Sequence, residues 1–325
     1  MSSAPRFRYA PTPSRELHVG SGLAALIGWA MARAAGGRFV LRIEDIDRAR
    51  CRETFEAGIY RDLAWLGVDW DEGPDVGGPY GPYRQSQRTD RYDHLLLALG
   101  AAGLAYPCAC SRADIRAAQS APHHLAIGDG APASEAAERP YPGTCRGKHL
   151  ALPEDRGGLR LDLAAVGDPI VNWSDGLIGA QLEDVRLTAG DVLLGRPGQP
   201  TYQLAVVADD CAMAVSDVVR GRDLLGSTAR QILLHRALAR LDGRPANPPR
   251  FHHHPLLVDA RGHKLSKRDQ AAPLSTLQYG DPAALRARLG RVIGLFGDRV
   301  ERASPADWVE AFSSGTPALH DARWG

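Results

Sequence analysis

The sequence predicts an α/β fold of the Rossmann type, with a parallel sheet, a long insertion and a short helical tail. Three observations carry this expectation. A short apolar run, Phe7 to Ala10, is followed by a proline-broken turn, an apolar stretch from Leu23 to Ala35, and then Arg38-Phe-Val-Leu-Arg-Ile. Strand, helix, strand at that spacing is a βαβ unit, normally right-handed and parallel. Between residues 106 and 189 the pattern changes to cysteine clusters and short alternating segments, and after residue 190 apolar runs return at Leu204–Ala208 and from Val215. The expected units are 1–105 (first half of the Rossmann-like domain), 106–189 (insertion), 190–270 (second half) and 271–325 (tail).

The chain of 325 residues is long enough for one or two well-buried domains. Its 44% apolar and 24% charged residues are ordinary for a globular protein. A net charge of +1 gives no global sign of nucleic-acid binding, so such a partner requires charge gathered locally. Residues 220–269 supply it, with 11 Lys and Arg against 4 Asp and Glu, unless these simply solvate a helical face. No signal peptide and no apolar run of about 18 residues is present, which argues against export or a membrane span. Five cysteines form no even framework, and a reduced, cytoplasmic setting is expected.

In chain order, Phe7–Ala10 reads as a strand ended by Pro11 and Pro13, which cannot donate to a ladder and restrict the preceding residue. His18-Val-Gly-Ser opens the first helix, and Gly36-Gly37 stops it. A helix N-terminus offers free N–H groups and a positive dipole end, suited to phosphate. Gly20 permits close approach and His18 adds a donor, although a capped helix after a turn would look the same locally. Arg38–Ile43 is a second strand ending in Glu44-Asp45-Ile46-Asp47. Ligands in such folds bind outside the carboxyl ends of strands, which places Arg8 to Thr12 and Glu44 on one edge. Thr54–Leu66 has Phe55, Ile59, Leu63 and Leu66 on one helical face. Gly67–Pro82 is a loop, and Tyr83–Arg88 leads into a helix from Thr89 to Ala102.

Cys108, Cys110 and Cys145 fall in two tight clusters. This is a metal-site pattern with His123 or His124 as a possible fourth ligand, or else two unrelated thiol clusters. Cys51 and Cys211 belong to neither and are expected to be structural. Gln119–Pro140 lacks periodicity and reads as a flexible insertion. Residues 150–189 alternate in short segments, as a small antiparallel region would. Leu204–Ala208 is a fully buried strand or helix segment, and the adjacent Asp209-Asp210 pair suggests a cap, a turn or a Mg²⁺ site. Ser227–Leu241 is an amphipathic helix. His252-His253-His254 reads as a loop leading into a strand; the run suggests a metal site, but consecutive residues point in different directions, which favours an incidental run. Lys264-Leu-Ser-Lys267-Arg268 is a basic loop. Ala283–Leu289, Val292–Phe296 and Pro305–Phe312 read as helices, the last with Ser304 as N-cap and Pro305 in first position.

Arg8-Tyr-Ala-Pro-Thr-Pro together with His18-Val-Gly-Ser resembles the ATP-binding signature of class I aminoacyl-tRNA synthetases in its glutamyl form. Further segments are similar to that family in the same order: Arg42-Ile-Glu-Asp-Ile-Asp, Gln85-Ser-Gln-Arg, Tyr202-Gln-Leu-Ala-Val-Val-Ala-Asp-Asp, and Val218-Val-Arg-Gly-Arg-Asp. Lys264-Leu-Ser-Lys267 resembles the Lys-Met-Ser-Lys-Ser loop, with Leu265 for methionine and Arg268 for the last serine. The spacing Cys108-x-Cys110, Tyr141-x-x-x-Cys145 is similar to that of the truncated, glutamyl-queuosine branch of the family. The resemblance implies a class I synthetase catalytic domain with His18, Gly20 and Lys267 as catalytic residues. ATP, with Mg²⁺, would lie against His18, Gly20, Ser21, Lys264 and Lys267. Lys267 would neutralise charge as pyrophosphate leaves. L-glutamate would lie against Arg8, Tyr9, Ala10, Pro11, Thr12, Glu44, Tyr202 and Arg220, with Glu44 on its α-ammonium and Arg8 on its side-chain carboxylate. One structural Zn²⁺ would be held by Cys108, Cys110, Tyr141 and Cys145. The acceptor would be queuosine in the anticodon of tRNA(Asp), and the enzyme a monomer away from membranes. Only 57 residues follow Arg268, fewer than an anticodon-binding domain needs. Charging of the 3′ end of a tRNA, or tRNA binding without catalysis, are the alternatives.

Overall fold

The computed structural model describes residues 4–111, 113–115, 140–152, 156–259, 273–277, 280–315 and 317–324. Its centre is a four-stranded parallel sheet. β1 (Arg6–Tyr9) pairs with β2 (Arg38–Leu41) on one side, and the chain returns much later to place β9 (Asp217–Gly221) on the other, with β10 (Arg250–His254) beyond it. The order β10-β9-β1-β2 reverses direction between β1 and β9, and at that point the carboxyl ends of the strands open a crevice. β1 and β2 are joined by α1 (Val19–Ala34).

Helices cover both faces of the sheet. On one, α1 and α2 (Glu53–Trp65) pack with Phe7, Phe39 and Leu41. On the other lie α3 (Thr89–Ala101), α4 (Tyr202–Ala212) and α5 (Thr228–Leu241). Residues 204–208 are thus helical, and the Asp209-Asp210 pair is neither cap nor turn but sits buried within α4. The region between β2 and β9 holds two antiparallel pieces. One is the sheet of β3 (Ala105–Cys108), β4 (Gly158–Leu161), β7 (Leu193–Arg196) and β8 (Gln199–Pro200); the other is the hairpin of β5 (Ile170–Asp175) and β6 (Gly179–Asp184).

The tail folds back onto the first face. α6 (Pro282–Val292) and α7 (Pro305–Ser313) contribute Leu289, Ile293, Trp308 and Phe312 to the core that α1 belongs to. Val292–Phe296 is therefore mostly a turn after α6, not a helix of its own. Trp308 is fully buried, with Phe296 edge-on to it at 5.6 Å between ring centres. Ser304 is the N-cap and Pro305 stands in the first position, as the sequence anticipates, and Asp307 completes a reciprocal capping box with Ser304. A last strand, Ala322–Arg323, pairs with Leu257–Val258. Among the described residues, no helix is long and apolar enough to cross a membrane.

Candidate active site

The crevice at the strand ends is a cavity of about 550 Å³. Arg8, Tyr9, Ala10, Pro11 and Thr12 line it from the end of β1, Glu44 from beyond β2, Tyr202 from the start of α4, and Arg220 from β9. His18, Gly20 and Ser21 line it from the start of α1. All the predicted glutamate-side residues, and three of the five on the ATP side, therefore meet in one space. Lys264 and Lys267 lie outside the described residues; Pro273, just beyond that segment, bridges to His18. His18 caps α1, its Nδ1 accepting the Gly20 N–H at 3.1 Å. A Cβ on Gly20 would stand 3.0 Å from the His18 ring, so the smallest residue lets this ring cap the helix.

Of the arginines lining the cavity, Arg8 and Arg220 differ in how their charge is met. Arg8 Nε lies 3.4 Å from Asp210 Oδ1 and its Nη1 is 3.4 Å from the Val219 carbonyl. Arg220 is 5% exposed, and among the described residues its hydrogen bonds go to neutral groups: it donates to Gln231 Oε1 at 2.6 Å, Thr228 Oγ1 at 2.8 Å and His253 Nε2 at 3.1 Å. Its guanidinium also stands over the Phe251 ring at 5.1 Å. Among the described residues no carboxylate forms an ion pair with it. Burial accordingly pulls the Arg220 guanidinium down to about 10. A buried cation in this condition is stabilised by any anion that enters beside it. Burial likewise raises the Glu44 carboxyl above its ordinary range, against the opposing pull of Arg42 and Arg8.

Behind the cavity lies an ion network that local sequence features did not announce. Arg42 is fully buried and donates to Asp210 at 2.6 Å and Glu44 at 3.2 Å. Asp209 accepts from Arg88 at 2.6 Å and from Gln85 and Tyr92 at 2.9 Å each. The Asp209-Asp210 pair thus uses its charge on protein arginines, which argues against a Mg²⁺ site there. The Gln85-Ser-Gln-Arg88 segment gains a definite role, since two of its side chains bond Asp209. The histidine run is a buried strand, not a loop. His252 bonds Asp217 at 2.9 Å, His253 bonds Asp175, and His254 lines the cavity. The strand escaped notice because its partners are polar and buried, leaving no apolar period to read.

The three clustered thiols form a third, separate group. Cys108, Cys110 and Cys145 sulfurs all lie within 4.8 Å of one another. Cys110 Sγ is 3.5 Å from Cys145 Sγ, and Tyr141 Oη lies 3.3 Å from Cys108 Sγ and 3.7 Å from Cys110 Sγ. A tetrahedron with zinc bond lengths has edges of roughly 3.5–3.8 Å, and the spacings of 3.3, 3.5 and 3.7 Å lie within a few tenths of an ångström of that. Without a cation, burial and the neighbouring thiols hold the Tyr141 phenol well above its ordinary value. A phenolate here therefore requires a positive ion beside it. Arg160 backs the group, its Nε 3.3 Å from Cys108 Sγ and its guanidinium 3.7 Å from the Tyr141 ring centre. His123 and His124 lie outside the described residues. Cys211 stands apart, 3.1 Å from His235 Nδ1.

A family model for tRNA synthetases class I (E and Q), catalytic domain, matches residues 5–306. The chain belongs to that family. Members that resemble it include the "Glutamyl-Q tRNA(Asp) synthetase" of Nitratidesulfovibrio vulgaris, 42% identical over 96% of this chain and 93% of the relative. The protein of the same name from Symbiobacterium thermophilum is 44% identical over 94% and 91%. "Glutamate--tRNA ligase 2" of Syntrophus aciditrophicus is 36% identical over 96% of this chain but 62% of the relative. Among solved structures, a glutamate tRNA ligase from Elizabethkingia meningosepticum, determined with its amino acid, superposes with a TM-score of 0.79 at 27% identity, over 99% of this chain and 67% of that one. As a class I synthetase of the E and Q group, the protein is a ligase, and its parallel sheet with the crevice between β1 and β9 is that family's catalytic fold.

Proposed function

We propose that this synthetase activates L-glutamate with ATP and transfers it to queuosine in the anticodon of tRNA(Asp). The observation that carries the first half is the charge layout of the cavity. Arg220 stands on β9 and Glu44 follows β2, strands two places apart and roughly 10 Å from each other. An amino acid bearing an ammonium at one end and a carboxylate at the other spans that distance with a hydrogen bond at each end. Glu44 would take the α-ammonium. Arg8 and Arg220, with Tyr202 beside them, would take the side-chain carboxylate. ATP and its Mg²⁺ would lie against His18, Gly20 and Ser21, with Lys264 and Lys267 completing that side. The α-carboxylate oxygen attacks the α-phosphorus, the bond to the β-phosphate oxygen breaks, and pyrophosphate leaves; the protein contributes placement and charge.

The second half is supported by the relatives of 42–44% identity that carry the glutamyl-Q name and are covered almost throughout. A loop nucleotide must be splayed out to reach an adenylate, the usual way RNA loops are recognised. The units 1–105, 106–189, 190–270 and 271–325, a monomeric state and a cytoplasmic setting complete this reading. Glutamate-dependent ATP–pyrophosphate exchange without tRNA is the expected first result. With labelled glutamate, label is expected on queuosine-bearing tRNA(Asp) and not on unmodified tRNA(Asp) or tRNA(Glu). Label on tRNA(Glu) would favour charging of the 3′ end instead, and absence of exchange would favour a tRNA-binding role.

We also assign one structural Zn²⁺ to Cys108, Cys110, Tyr141 and Cys145. When bound, it neutralises and locks these four groups; a closed set of four leaves no position for substrate. Cys108→Ser is expected to reduce zinc from about one per chain to near zero by elemental analysis, and to lower the melting temperature. Unchanged metal content would reject the ligand set.

A further inference from the structure

Arg220 is held in place by a chain of buried groups that begins outside the cavity. Its Nε donates to His253 Nε2 at 3.1 Å, and His253 Nδ1 lies 2.5 Å from Asp175 Oδ2. His253 is fully buried and Asp175 is 3% exposed. A carboxylate only accepts, so His253 Nδ1 must carry the proton and Nε2 must present its lone pair to Arg220. Asp175 ends β5, at the turn of the β5–β6 hairpin. Its other oxygen, Oδ1, accepts three backbone N–H groups: Leu177 at 3.0 Å, Ile178 at 3.2 Å and His253 at 3.1 Å. The turn is pressed onto β10. Gly176 donates to the Phe251 carbonyl at 2.8 Å, and a Cβ on Gly176 would stand 2.0 Å from the His252 ring.

We propose that Asp175 and His253 are positioning residues for the amino-acid pocket, which orient Arg220 through a fixed imidazole tautomer and tie that orientation to the β5–β6 hairpin. This rests on the reading of the cavity as a glutamate pocket. Three features favour positioning over simple packing. The histidine gives Arg220 an acceptor without giving it a counter-charge, so the arginine stays available to a substrate anion. Thr228 Oγ1, 3.2 Å from the same Nε2, and Gln231 hold the remaining nitrogens, so the guanidinium has one orientation. The groups facing His253 are Asp175, Arg220, Thr228 and the neighbouring His252 ring, and Asp175 is the sole carboxylate bonded to it among the described residues.

The substitution Asp175→Asn tests this sharply. The three backbone donors require an acceptor at the Oδ1 position, so the amide oxygen must stay there. The amide NH₂ is then forced to the Oδ2 position and faces His253 Nδ1. The imidazole must switch its proton to Nε2, where it points at the Arg220 Nε–H. In glutamate-dependent exchange, Asp175→Asn is expected to raise KM for glutamate by about 10-fold or more and to leave KM for ATP within about twofold. His253→Gln, which keeps an acceptor near Nε2, is expected to retain more glutamate affinity than His253→Leu. ¹⁵N–¹H spectra of the wild-type imidazoles, with the His253 signal identified by its loss in His253→Gln, should give the Nδ1–H tautomer. An Nε2–H tautomer or an imidazolium in the wild type would overturn the proposal whatever the substrate. So would a wild-type KM for glutamate in folded Asp175→Asn. If the wild-type enzyme shows no glutamate-dependent exchange while the Nδ1–H tautomer is found, the glutamate reading fails and the relay stands.

Discussion

Arg220→Gln is expected to raise KM for glutamate by about 10²-fold or more in ATP–pyrophosphate exchange, with KM for ATP little changed. Removing one partner of a buried charge pair costs about 2–5 kcal/mol of binding, and each 1.4 kcal/mol is a factor of ten. The same substitution carries a second expectation of opposite sign. Without substrate, Arg220 is a buried cation whose partners, Gln231, Thr228 and His253, are all neutral. Replacing it by a neutral side chain of similar reach relieves that burden. The midpoint of urea unfolding for the free protein should therefore not fall. Near-normal KM in the variant would remove Arg220 from the glutamate pocket. A large fall in stability with KM unchanged would make it a structural residue.

Asp209→Ala should destabilise the fold by about 3–5 kcal/mol, the range for breaking a buried pair from one side. Asp209 is fully buried and accepts from Arg88, Gln85 and Tyr92, which would be left without it in the core between α3 and α4. Arg88 would keep only its bonds to the Tyr80 and Pro82 carbonyls. Urea titration of the wild type and variant measures the difference directly. A shift under about 1 kcal/mol would mean that Arg88 reaches water once its partner is gone.

These cases mark how far the sequence could be read. β1, α1 and β2 were legible because an apolar strand, a turn and an apolar helix are each encoded by neighbours. The Ser304 cap was legible for the same reason, since Ser304 directly precedes Pro305. The thiol cluster was visible as two short spacings, although only the fold brings Cys145 to Cys110. The Asp209-Asp210 pair was not legible as a helix interior, because adjacent acids locally favour turns, and the arginines that neutralise them come from β1, from just after β2 and from just before α3. His253 was invisible as a working residue because its partner Asp175 is 78 positions away. Nor could Arg220 announce that it forms no ion pair among the described residues, because its buried partners come from α5 and β10.

The long detour between β2 and β9 has a consequence for how the protein is made. β1 pairs with β2 almost at once, Arg6 opposite Arg38, but its other edge waits for Asp217 to meet Phe7. At roughly 5–20 residues per second of synthesis, about 210 residues take about 10–40 s. During that interval the nascent chain presents an unpaired strand edge of the kind that invites mispairing between chains. The crevice that will hold substrate is, until then, a bare seam. The catalytic pocket therefore cannot exist until the second half of the chain has been made.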